Sequence, residues 1–69
     1  GNTELTKTLE VYIESNGNGT ETAEKLFIHR NTLHYRIEKI EQLTGYDLNS
    51  YETLSNLIMA FKIKKYFEQ

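Results

Sequence analysis

Eleven consecutive residues, His29 to Lys39, hold most of the side chains in this chain that could do chemistry: His29, Arg30, Asn31, Thr32, His34, Tyr35, Arg36 and Lys39. An Arg fork grips guanine O6 and N7 with two bonds, and an Asn amide does the same for adenine N6 and N7. Hydroxyls and single cations hold phosphate or sugar. Arg30, Asn31 and His34 therefore read as candidates for base edges, and Thr32, Tyr35, Arg36 and Lys39 as candidates for the backbone. Each has a plainer alternative. Arg30 and Asn31 can satisfy local backbone groups, Tyr35 can be an ordinary exposed aromatic, and His29 can cap a helix or pack as readily as it can touch a ligand. Nothing assembles a catalytic site: there is no Ser-His-Asp or Cys-His arrangement, and a bundle this small offers no cleft for a carboxylate pair.

The elements that must position these residues follow from apolar spacing and glycine placement. Leu5, Leu9, Tyr12 and Ile13 recur at helical spacing and predict a first helix from about Thr3 to Ser15. Asn16 and Gly17 can take the left-handed conformation that ends it. Asn18, with Glu21 three residues on, predicts a capping box for a second helix from Gly19 to Leu26. Ala23, Leu26 and Phe27 are expected in the core, Ala23 because a small side chain lets two helices cross closely. Ile28 and His29 form a turn. A third helix runs from Arg30 to Thr44 and stops at Gly45, with Leu33, Ile37 and Ile40 as one apolar stripe and Leu43 at its edge. Asp47 and Leu48 are expected in a connecting loop, and Asn49, with Glu52, is expected to cap a fourth helix reaching Phe67. That helix is apolar nearly all round at Leu57-Ile58-Met59-Ala60-Phe61, so it is wrapped by the others or shared with a partner. The expectation is an all-α domain of four helices.

A short helix, a tight turn and a second helix with a polar, basic start define a helix-turn-helix. Its second helix enters the major groove of duplex DNA by its N-terminal turns. The apolar stripe of the third helix docks it on the scaffold, and its first turns are left to read. Thr20, at the start of the second helix, could offer its hydroxyl and the helix N-terminus to a further phosphate.

The totals qualify this picture. The 69 residues make one small domain with formal net charge −2. The charge is unevenly spread: residues 1–24 balance to −4, residues 25–40 to +3 and residues 41–69 to −1. The positive stretch contains the proposed reading helix, although such charges can also simply solvate an outer face. There is no cysteine and therefore no disulfide or thiolate site, and His29 and His34 lack companion ligands for a metal. No cofactor is expected. No apolar run approaches the ~20 residues that span a bilayer, and no leader pattern opens the chain, so the expected location is cytoplasmic. A start at Gly1 instead of methionine is read as a cut from a longer polypeptide, of which residues 1–69 are one module.

His29-Arg30-Asn31-Thr32-Leu33-His34-Tyr35-Arg36-Ile37, then Ile40, then Leu43-Thr44-Gly45-Tyr46-Asp47-Leu48, closely resembles the C-terminal helix-turn-helix of PucR/CdaR-type bacterial transcription regulators. The resemblance covers about residues 5–63. Gly17 to Leu33 also resembles the DNA-binding unit of Fis and of enhancer-binding activators. The resemblance implies a DNA-binding output domain joined by its N-terminus to sensory regions that bind a small metabolite elsewhere. It supports Arg30, Asn31 and Thr32 at the groove, with Tyr35 and Arg36 in the same motif. Three positions depart from pattern. Phe27 stands at a turn position often held by Gly, where a side chain must avoid positive φ or accept strain. Leu54 and Tyr51 stand where many relatives carry Arg and Pro, so contacts there are not carried over.

The leading reading is sequence-specific binding of double-stranded DNA in transcription control. A protein-interaction or dimerisation module built on the apolar fourth helix is the alternative, with a homodimer formed there or through regions outside this chain. An RNA reader fits less well because only Tyr35 offers an outward aromatic near the basic residues. Exposure of the third helix's first turn separates these readings.

Overall fold

The computed structural model describes residues 2–68 as four helices joined by short turns. They are α1 (Asn2–Glu14), α2 (Gly19–Leu26), α3 (Arg30–Thr44) and α4 (Tyr51–Phe67). Helix α1 is the hub. It packs against each of the other three, α2 and α3 pack on one another, and α4 approaches α1 alone. Tyr12, Ile40 and Leu48 are the buried centre, with Leu5, Leu9, Ile37, Leu54 and Leu57 packed around them. Val11, Ile13, Ala23 and Leu33 complete the buried apolar set.

The α1–α2 corner needs a glycine for two reasons. Asn16 and Gly17 both have positive φ, and Gly17 N–H closes the helix end on Tyr12 O at 2.9 Å. A Cβ on Gly17 would stand 2.5 Å from Leu54 Cδ2. The position therefore combines a left-handed backbone with the close approach of α4. Asn18 then caps α2, its Oδ1 accepting from Glu21 N–H at 3.0 Å. The Glu21 carboxylate does not return to the cap; it pairs with Lys25 Nζ at 3.1 Å, one turn along α2.

Four expectations need correction. Phe27 is not in the core but 94% exposed, because the chain turns left-handed at that residue and swings the ring outward. Leu43 is 63% exposed; it lies about 60° of helix rotation past Ile40, which carries it off the buried face. The cap of α4 is Ser50, whose Oγ accepts from Thr53 N–H, and not Asn49. Asn49 N–H is already taken by Asp47 Oδ1 in a tight turn, which delays the helix by one residue. Leu48, read only as a loop residue, is 2% exposed and sits in the core. Its N–H donates to Glu41 Oε2 at 2.8 Å, so α3 itself holds the loop down.

Helix α4 has no buried residue. Leu54, Leu57, Ile58 and Phe61 are half-buried on the side toward α1, while Met59, Ile63, Tyr66 and Phe67 are exposed.

Candidate nucleic-acid interface

Helix α3 is fixed on the scaffold by its inner face. Leu33 and Ile40 are each 4% exposed, and Ile37 is half-buried beside them. At 100° per residue these three fall within about one sixth of the helix circumference. Asn31, Tyr35, Glu38 and Gln42 must then point the other way, and all are exposed. The phase that buries the anchor also exposes these four side chains.

The first turn of α3 is free of cover. Arg30, Asn31, Thr32 and His34 are all exposed. His29 is the N-cap: its Nδ1 accepts from Asn31 N–H at 2.9 Å. With Nδ1 used as acceptor, the neutral ring carries its proton on Nε2. The cap thus still offers one outward donor. Of the two readings of His29 left open by the sequence, the cap is the one observed. Because the cap is made by His29, the Asn31 side chain is not spent on it, and among the described residues no side-chain hydrogen bond or ion pair occupies Arg30. Helix α2 brings exposed Thr20 to its own N-terminus, and one surface hollow is lined by both Thr20 and Arg30.

Not every candidate is equally available. His34 Nε2 lies 2.9 Å from Glu38 Oε1 on the exposed surface of α3, a pair that is ionic only when the imidazole is protonated. Tyr35 is 65% exposed and Lys39 is exposed, with no ion-pair partner among the described residues. Arg36 differs. It is half-buried and turned toward α1, with Nη2 donating to Glu4 Oε1 at 3.1 Å and Nη1 to Thr8 Oγ1 at 3.3 Å. Glu4 and Thr8 were missed in the sequence. Both are remote from Arg36 along the chain, and no local pattern announces such a contact. The described residues contain no cluster of three or more His, Asp or Glu that could hold a metal ion. Among them no helix is long and apolar enough to cross a membrane.

A capped, uncovered second helix with a polar start, held by a buried stripe on a shorter first helix, defines the DNA-binding helix-turn-helix class. The PucR C-terminal helix-turn-helix domain matches residues 5–63, and the chain belongs to that family. It is 44% identical over 63 residues to the proline-responsive transcriptional activator PutR of Bacillus subtilis, covering 91% of this chain and 15% of that protein. It is 43% identical over 61 residues to the purine catabolism regulatory protein of the same organism, covering 88% and 12%. It is 39% identical over 59 residues to the carbohydrate diacid regulator of Escherichia coli, covering 86% and 15%. The chain therefore spans only a small part of the relatives it matches, and its place is that of a DNA-binding domain in transcription regulation. No solved structure matches it.

Proposed function

We propose that this chain reads a specific duplex sequence through the first turns of α3, as the output module of a longer, metabolite-responsive regulator. The observation that carries this reading is the uncovered N-terminal turn of α3, where Arg30 and Asn31 are exposed and His29 closes the helix without consuming them. Arg30, Asn31 and His34 reach base edges. Thr32, Tyr35, Lys39 and the α2 start at Thr20 hold phosphate and sugar. Arg36 serves chiefly to hold α3 against α1. The printed names of the relatives speak of proline, purine catabolism and carbohydrate diacids, which supports an effector of metabolite size bound outside these residues.

The test is selection of bound sequences from random duplexes, followed by Arg30→Ala. The variant loses ~1–3 kcal/mol on the selected site and relaxes preference at one base pair. An equal loss on every sequence would make Arg30 a phosphate contact and remove the base assignment.

The outer face of α4 supports self-association as a second activity. Asn56, Met59, Ile63 and Tyr66 are exposed and recur at alternating spacings of three and four, the spacing of a two-helix seam. A second copy of α4 fits such a stripe, with Asn56 at a polar register position. Tyr66 and Phe67 are 72% and 78% exposed. At about 150–250 Å² per aromatic side chain, those two leave on the order of 300 Å² uncovered. With Met59 and Ile63, a symmetric pairing buries on the order of 1,000 Å² in total, the lower bound for a stable interface. The chain alone is thus a weak dimer, and its two reading helices would address an inverted repeat. Sedimentation equilibrium across a concentration series checks this. Association that Ile63→Glu abolishes without changing helicity supports the seam, and a monomer at every concentration refutes it.

A further inference from the structure

Phe27 breaks two local rules at once, and nothing in the fold compensates for either. The end of α2 is a Schellman-type closure: Ile28 N–H reaches back to Ala23 O at 3.1 Å and Phe27 N–H to Glu24 O at 3.1 Å. That closure requires a left-handed residue between them, and glycine takes this conformation at no steric cost. Phe27 adopts it with φ 56° and ψ 42°. An aromatic residue there is strained, since its Cβ crowds the neighbouring carbonyl. The ring then gains no burial in return, being 94% exposed. The other exposed large apolar residues among those described have ordinary φ, and all but Tyr46 lie on helices. Backbone strain held without a packing reward marks a position kept for something other than stability.

The location says what the ring meets. Phe27 shares one shallow hollow with Thr20, Ile28, His29 and Arg30. It therefore stands on the surface that carries the α2 N-terminus and the first turn of α3, two residues before the cap of the reading helix. A duplex seated on Arg30 and Thr20 presents its major-groove wall to that hollow. The apolar part of such a wall is the deoxyribose carbon surface, which suits an uncharged flat ring. Ring-on-sugar contact positions a protein but carries no base information.

We propose that Phe27 is a DNA-positioning residue whose ring packs on the deoxyribose wall of the groove beside the bases addressed by Arg30. This rests on the DNA-reading function proposed above. It accounts for the cost of the strained turn: the strain is retained because a left-handed residue with a side chain aims that side chain out of the bundle, where glycine has none to aim.

The test uses the whole 69-residue chain and its selected duplex, with Phe27→Ala, Phe27→Gly and Arg30→Ala measured side by side. Phe27→Ala keeps the strain and removes the ring. It weakens binding roughly tenfold, the equivalent of partly burying one aromatic side chain. The loss is the same on selected and scrambled sequences, and both the salt dependence and the melting temperature stay unchanged. Phe27→Gly weakens binding equally while its melting temperature rises by about 4–8 °C through relief of the left-handed strain. Arg30→Ala alone alters sequence preference. Wild-type affinity in both Phe27 variants, with Arg30→Ala still impaired, overturns the proposal and leaves the DNA reading standing. A lowered melting temperature in Phe27→Ala overturns it in favour of a structural role. No chemical-shift change on any selected or random duplex removes the DNA reading itself, and the proposal with it.

Discussion

Arg36 and Lys39 lie one turn apart on α3 and carry the same charge, yet their surroundings differ. Arg36 is 18% exposed at its side chain and bonded to Glu4 and Thr8, whereas Lys39 is exposed and unpaired among the described residues. Removing Arg36 breaks a partly screened ion pair, since Glu4 remains 53% exposed; such pairs are worth about 0.2–1 kcal/mol. It also breaks one long hydrogen bond of 3.3 Å to Thr8, worth less than a well-formed charged bond, and uncovers apolar surface beneath the guanidinium stem. Thr8 Oγ1 keeps its own bond to Glu4 O at 2.8 Å, so no buried polar atom is orphaned. The sum is about 1–2 kcal/mol, or a fall of roughly 4–8 °C in melting temperature for each kcal/mol in a domain of this size. Lys39→Ala should leave the melting temperature unchanged within error. In a salt titration of duplex binding the order reverses. Lys39→Ala flattens the slope of log affinity against log salt by up to about 0.9, one phosphate's worth of released counterions, and Arg36→Ala leaves it nearly intact. Circular dichroism melting and fluorescence anisotropy give the two readouts. Arg36→Ala with an unchanged melting temperature and a slope flattened by about 0.9 would mean that the guanidinium leaves Glu4 for a phosphate, and would refute the reasoning from its contacts. Lys62, Lys64 and Lys65, on α4, are controls; a slope set by them would move the DNA face to that helix.

Gly17→Ala should cost about 1–2 kcal/mol, chiefly from left-handed strain, with the Leu54 Cδ2 that a Cβ would meet at 2.5 Å free to shift as a side-chain end, and urea unfolding with an unchanged midpoint would contradict that estimate. Tyr12 has its phenol pKa raised above the usual 10.0, first by burial and then by the negative charge of Glu41. A raised folded-state value means the folded chain holds the proton more tightly than the unfolded one. Its contribution to stability is therefore full below pH 10 and is lost as pH rises through the folded-state value. Tyr12→Phe should flatten the alkaline decline in melting temperature, and an identical decline in the variant would place its cause elsewhere.

The four helices, the caps at Asn18 and Gly45 and the phase of α3 were legible in the linear sequence because each rests on interactions within a few residues. A stripe at Leu33, Ile37 and Ile40 can face inward only if Asn31 and Tyr35 face outward. That one constraint placed much of the candidate reading surface before any fold was known. What tertiary structure decided are the contacts between positions far apart in the chain. Arg36 reads as a free cation in sequence, and only the crossing of α1 over α3 brings Glu4 and Thr8 to its guanidinium. Leu48 reads as loop, and only the pocket among α1, α3 and α4 makes it core. Gly17 shows its turn in sequence but not the Leu54 side chain that a Cβ would have to displace. Phe27 lies between the two cases. Its residue type marked the turn as unusual, but whether the chain would avoid the left-handed conformation or accept it depended on how α2 and α3 had to meet. Local hydrogen bonding and periodicity are written along the chain, whereas the partner of a side chain is set by the packing of whole helices, which no short window of sequence contains.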